Sequence, residues 1–162
     1  MGDVFAGSEI VELGIEIEKN GRDFYNTLVN KTKSPKAADI FKYLAKEEER
    51  HIQAFQGILK KLDQYQPPEA YPGEYFEYMK FLADQHIFTR EGQGVLAAEK
   101  IADDRQAVEA GIGFEQDSIV FYEGMKRMVP DYDRKVVEEL IAQEEHHLSQ
   151  LLELKRSGGS RE

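Results

Sequence analysis

The chain has 162 residues, no cysteine, and a formal net charge of −10 from 31 acidic and 21 basic side chains. That length suits one domain with a real core, the acidity disfavours nucleic acid or an anionic membrane as partner, and the missing cysteines exclude disulfides, thiolate nucleophiles, zinc knuckles and cysteine-ligated iron–sulfur centres. No apolar run approaches the ~20 residues of a membrane span and the N-terminus has no signal-peptide pattern, so a soluble, cytoplasmic protein is expected.

Four segments carry helical periodicity. The first follows Ser8, a good N-cap residue, and runs to about Val29. The second opens at "SPKAADIF", with Ser34 as cap and Pro35 in the first helical position, and continues to about Leu62. Three prolines and a glycine in "DQYQPPEAYPGEY" then break the pattern. The third begins near Asp103 or Asp104 and ends by Val129–Pro130; the fourth runs from about Asp133 to Lys155. "YFEYMKFLADQ" and "GVLAAEKIA", in the long stretch between the second and third, each predict a short helix. Short links within each pair and one long crossover between pairs give an all-α four-helix bundle with ferritin-like connectivity. The bundle is expected over residues 1–156 and a flexible tail over 157–162.

The hairpin occurs twice. "IEIEKNGRDFY" (15–25) aligns with "IGFEQDSIVFY" (112–122), and "AKEEERHIQAF" (45–55) with "IAQEEHHLSQL" (141–151). The offsets, 97 and 96 residues, are nearly equal, so a whole helical pair is duplicated about a pseudo-twofold axis. Each copy holds one Glu-x-x-His, Glu48/His51 and Glu144/His147, and one further acid, Glu18 or Glu115.

Positions one and two turns away decide which way these acids face. Around Glu48 they are Phe41, Leu44, Ala45, Ile52 and Phe55; around Glu144, Val137, Leu140, Ile141, Leu148 and Leu151. Glu115 has Val108, Gly111, Ile112, Ile119 and Tyr122, and Glu18 has Val11, Gly14, Ile15 and Tyr25, interrupted by Arg22. All four acids therefore point inward, with His51 and His147 on the same faces. Four ionised carboxylates in one core are prohibitive unless some are protonated or a cation compensates them. Two divalent ions balance four glutamates, and oxygen plus imidazole donors without thiolate suit iron, with manganese or zinc as substitutes. A Glu from each of two helices and a Glu-x-x-His from each of the other two is a known di-iron arrangement, in which the Glu of each Glu-x-x-His bridges the metals.

"IEIEKNGRDFY", "EEERH", "FEQDSIVFY" and "QEEHH" together resemble the four helices of rubrerythrin-type, ferritin-like di-iron proteins, over roughly residues 8–155. The resemblance implies metal ligands Glu18, Glu48, His51, Glu115, Glu144 and His147, two irons, and oxidoreductase chemistry on hydrogen peroxide or dioxygen, in a homodimer. Full-length rubrerythrins add a rubredoxin domain whose iron sits in four cysteines; with none here, electrons would come from an external donor such as a rubredoxin or a reductase. Peroxidase members carry a further glutamate three residues after the third-helix ligand, where this chain has Ser118. A ferroxidase or iron-buffering protein and a structural bundle with a vestigial site are the rival readings. Tyr25 and Tyr122 are the candidates for a catalytic role, by hydrogen bonding to a ligand carboxylate or a bound oxygen species; filling the bundle as buried aromatics is the alternative. His86 is expected to be a surface or packing histidine. His146, Glu47, Glu49, Glu145 and Arg50 are expected to face water.

Overall fold

The computed structural model describes residues 7–62, 73–86, 88–129 and 131–159. Among the described residues, six α-helices follow in chain order: α1 (Gly7–Lys31), α2 (Pro35–Leu62), α3 (Gly73–Gln85), α4 (Gln93–Glu99), α5 (Asp104–Met125) and α6 (Asp131–Gly159), with a 3₁₀ turn at Lys126–Met128. No described residue lies in a strand, and among the described residues no helix is long and apolar enough to cross a membrane.

The caps explain most of the boundaries. Ser34 Oγ accepts the Ala37 amide at 3.2 Å and Pro35 fills the next position, where a missing N–H costs nothing. Asp103 accepts the Gln106 amide at 2.8 Å in front of α5. Two ends differ from expectation. α1 begins at Gly7, two residues earlier, which puts Ser8 inside the first turn. α6 runs through Gly159, so the first three residues of the expected tail are helical, and residues 160–162 lie outside the described residues. Ser157 belongs to that helix, its hydroxyl donating to Leu154 O at 3.2 Å.

α1 packs along α2 and α5 along α6, giving two hairpins that meet through α1 against α5 and α2 against α6. The buried stripe of α2 is Phe41, Leu44, Ala45, Glu48, His51, Ile52, Phe55 and Ile58; that of α6 is Val137, Leu140, Ile141, Glu144, His147, Leu151 and Leu154. Each fully buried Leu, Ile or Phe contributes about 1.5–3 kcal/mol, and these side chains surround the acids on every turn. α3 and α4, both foreseen in the crossover, lie against α5 and α1 respectively.

Asn20 fastens the crossover. Its amide donates to Phe88 O at 2.9 Å and Arg90 O at 2.8 Å, and its oxygen accepts the Gly94 N–H at 3.0 Å. Gly94 lies so close that a Cβ there would sit 2.0 Å from the Asn20 carbonyl oxygen. At the far end of α4, Lys31 Nζ caps the carbonyls of Ala98, Glu99 and Ile101 at 2.7–3.0 Å. α4 is thereby clamped to α1 at both ends.

Candidate metal centre

The six acids and histidines named from the sequence converge. Glu18, Glu48, His51 and Glu144 each bring a donor atom within 4.8 Å of the others, and so do Glu48, Glu115, Glu144 and His147. The groups share Glu48 and Glu144, while Glu18 and Glu115 each belong to one. All six side chains are buried, none more than 1% exposed.

Both histidines turn Nδ1 toward the carboxylates. His51 Nδ1 lies 2.7 Å from Glu144 Oε1 and 3.5 Å from Glu18 Oε2. His147 Nδ1 lies 3.7–3.9 Å from oxygens of Glu48, Glu115 and Glu144. The two rings stack at 5.6 Å between centroids. His51 Nε2 meets Gln143 Oε1 at 2.8 Å on the side away from the cluster.

The two tyrosines cross the pseudo-twofold axis. Tyr122, on α5, donates to Glu18 Oε1 at 2.5 Å, and Tyr25, on α1, donates to Glu115 Oε1 at 2.8 Å. Burial raises both phenol pKa values well above the usual one, with Glu115 adding to the effect on Tyr25 and Glu18 to that on Tyr122, so both stay protonated donors. Gly111 packs against this crossing, where a Cβ would lie 3.4 Å from the Tyr25 hydroxyl. The phenols thus reach carboxylates of the cluster and also fill the bundle.

Eleven buried side-chain oxygens and nitrogens among the described residues lack a hydrogen-bond partner, and nine belong to the six predicted ligands. Their distribution is ordered. Glu18 and Glu115 each leave Oε2 free, the other oxygen being held by a tyrosine, whereas Glu48 and Glu144 leave both oxygens free. An orphaned buried polar atom costs about 1–3 kcal/mol, and more when charged, so nine together are a large penalty without a cation. Protonation alone is a partial remedy. Burial, then the charges of Glu115 and Glu18, push the Glu144 carboxyl well above the usual range. Burial pushes Glu115 the same way, but the closeness of Glu144 and of the His147 ring and its charge, with the Tyr25 hydrogen bond, outweigh that, and its pKa ends below the usual value. Burial lowers His51, yet the nearby charge of Glu18 and the contact with Gln143 leave it raised. The donor set, orphaned atoms and symmetry fit hard-to-borderline divalent ions.

The flanking residues divide. His146 and Glu145 face solvent as expected, and Glu49, half-buried, pairs with Arg22 at 2.9 Å, which accounts for the arginine that interrupts the Glu18 stripe. Glu47 departs from expectation: its side chain is only 12% exposed and its Oε1 lies 3.9 Å from His147 Nε2, while Oε2 pairs with exposed Arg50 at 3.3 Å. The crossing of α2 over α6 supplies that burial, which the spacing within α2 does not express. His86 is a packing histidine and not a surface one. It lies beside Phe88 and Phe114, accepts the Phe88 N–H at Nδ1, and sets Nε2 3.1 Å from Ser118 Oγ. Burial lowers its pKa to about 4, against the pull of Glu115.

A helical bundle with a buried, twofold-related glutamate–histidine cluster defines a carboxylate-rich metal-binding protein. The family model described as Rubrerythrin matches residues 9–155. The chain belongs to the rubrerythrin family, whose fold is the ferritin-like helical bundle. No curated protein and no solved structure matches it significantly.

Proposed function

We propose that this protein is a non-haem di-iron oxidoreductase that reduces hydrogen peroxide or dioxygen with electrons from an external donor such as a rubredoxin or a reductase. The observation that carries the reading is the pattern of free donor atoms. Two acids offer both oxygens and belong to both donor groups, and two offer one oxygen and belong to one group. That division would let Glu48 and Glu144 serve both metal positions, with Glu18 and His51 completing one and Glu115 and His147 the other. Iron held there supplies the one-electron redox chemistry that cleaves the O–O bond.

The chain's own residues set the conditions. Phe41, Ile52, Phe55, Phe114 and Leu151 are buried in the same bundle core as the cluster, a low-dielectric setting that strengthens each electrostatic interaction inside it. Tyr25 and Tyr122 act as positioning residues: each holds one oxygen of a terminal acid and keeps a proton beside the cluster. With their pKa values raised, both phenols keep their protons and stay donors to Glu115 and Glu18. The subunits are expected to pair as homodimers.

The test is anaerobic loading with Fe²⁺, then addition of hydrogen peroxide under optical monitoring. Rapid formation of a ferric spectrum, reversed by a reduced donor, is expected. Ferrous protein that oxidises slowly with peroxide, or accumulates iron beyond the bound pair, would make iron the cargo of a storage protein instead.

A further inference from the structure

Gln143 and Glu47 occupy the same position of the duplicated hairpin, each directly before a bridging glutamate and 96 residues apart. Each lies on the outer side of the histidine contributed by the opposite hairpin. Gln143 Oε1 sits 2.8 Å from His51 Nε2, and Glu47 Oε1 sits 3.9 Å from His147 Nε2. The placement is repeated, but the distance and the chemistry are not: one histidine is backed by a neutral amide at hydrogen-bond length, the other by a carboxylate standing 3.9 Å away.

His147 Nε2 is fully buried and has no hydrogen-bond partner. A ring that offers Nδ1 to a cation carries its hydrogen on Nε2, and that N–H needs an acceptor. Glu47 is placed to be it. Its other oxygen is fixed by Arg50 at 3.3 Å. Tyr43 braces the same spot, standing edge-on to the His147 ring at 6.0 Å between centroids. About 1 Å of movement closes the 3.9 Å gap to hydrogen-bond length.

We infer that Glu47 is a positioning residue for His147, and that the Glu47/Gln143 difference makes the two metal positions unequal, the one completed by His147 binding more tightly. A carboxylate accepts a stronger hydrogen bond than an amide oxygen, orients the ring more firmly and makes it the more basic ligand. The inference rests on the metal-centre reading above and adds the order in which the positions fill.

The experiment is a calorimetric and optical titration of the full metal-free chain with Co²⁺. The wild type should take up two ions in resolved steps. Glu47→Gln, an isosteric change, should weaken the tighter step about tenfold or more and leave the other within about twofold. Gln143→Glu should strengthen the weaker step and bring the two together, and it decides the matter alone if the Glu47 variant does not fold. Two ions bound by the wild type, with both constants unmoved in the variants, would overturn the inference and leave the metal centre standing. No Co²⁺ bound by the wild type would overturn the metal centre itself, and the inference with it.

Discussion

Tyr122 and Tyr25 reach across the bundle to an acid of the opposite hairpin, and so decide which oxygen of Glu18 and of Glu115 remains without a hydrogen bond. A hydrogen bond to a charged acceptor contributes about 1.5–3 kcal/mol, and here its loss also orphans a second buried oxygen. Tyr25→Phe and Tyr122→Phe should therefore keep the fold but lower metal-free stability by roughly 2 kcal/mol each and weaken iron binding about tenfold. Chemical denaturation and iron titration read the two effects separately. Unchanged affinity in both variants would make the tyrosines packing residues only. Glu144 and Glu115 show the same economy: adjacent in one dry site, one is driven toward protonation and the other held ionised.

At the scale of elements, the crossover is held by the backbone as much as by side chains. α4 approaches α1 to the point where Gly94 admits no Cβ beside the Asn20 carbonyl, and the Asn20 amide ties down both Phe88 and Arg90. Gly94→Ala should cost roughly 3 kcal/mol, since the clash is with backbone that cannot rotate away. Gly57→Ala is the control: it is exposed, on α2, with nothing within 4 Å of a Cβ, and should stabilise by about 0.5–1 kcal/mol. Thermal denaturation of the pair gives the comparison, and equal melting temperatures would contradict the clamp. The same crossover brings His86 onto Ser118, one turn along α5 from Glu115, so a segment outside the four long helices reaches the edge of the centre.

For the whole molecule, metal and pH act on one balance. Glu144 and His51 both have raised pKa values in the folded, metal-free protein. Stability from a raised group is fully present below its unfolded value and lost as pH rises through the folded one. His86 is lowered, so its contribution is complete above its ordinary 6.5 and falls away below that, toward about 4. Above pH 6.5 only the first two act, and metal-free protein should lose stability as pH rises toward 8. Metal binding competes with protons for the same ligands, so the stabilisation by metal should grow over that range. Melting curves with and without chelator from pH 6.5 to 8 would show the two trends diverging; parallel curves would contradict it.

Much of this was legible in the chain because helical spacing and duplication are local properties. The turn-by-turn apolar neighbours of Glu48 and Glu144 state that these acids face inward, and the offsets of 97 and 96 state that they do so twice. What stayed hidden depends on contacts between distant segments. Glu47 is one residue from Glu48 and about 100° around the helix, which reads as solvent until α6 packs over it. Asn20 reads as an ordinary polar residue until the crossover folds back onto it, and His86 lies in a stretch with no periodicity to orient it.

The central claim is that six side chains form one two-metal centre with Glu48 shared between its positions. The most direct measurement is iron per chain after anaerobic loading and removal of free metal, in the wild type and in Glu48→Ala, with circular dichroism confirming that both are helical. The account predicts two irons per wild-type chain and none retained by the folded variant. Two irons in Glu48→Ala, or less than one in the wild type, would contradict it.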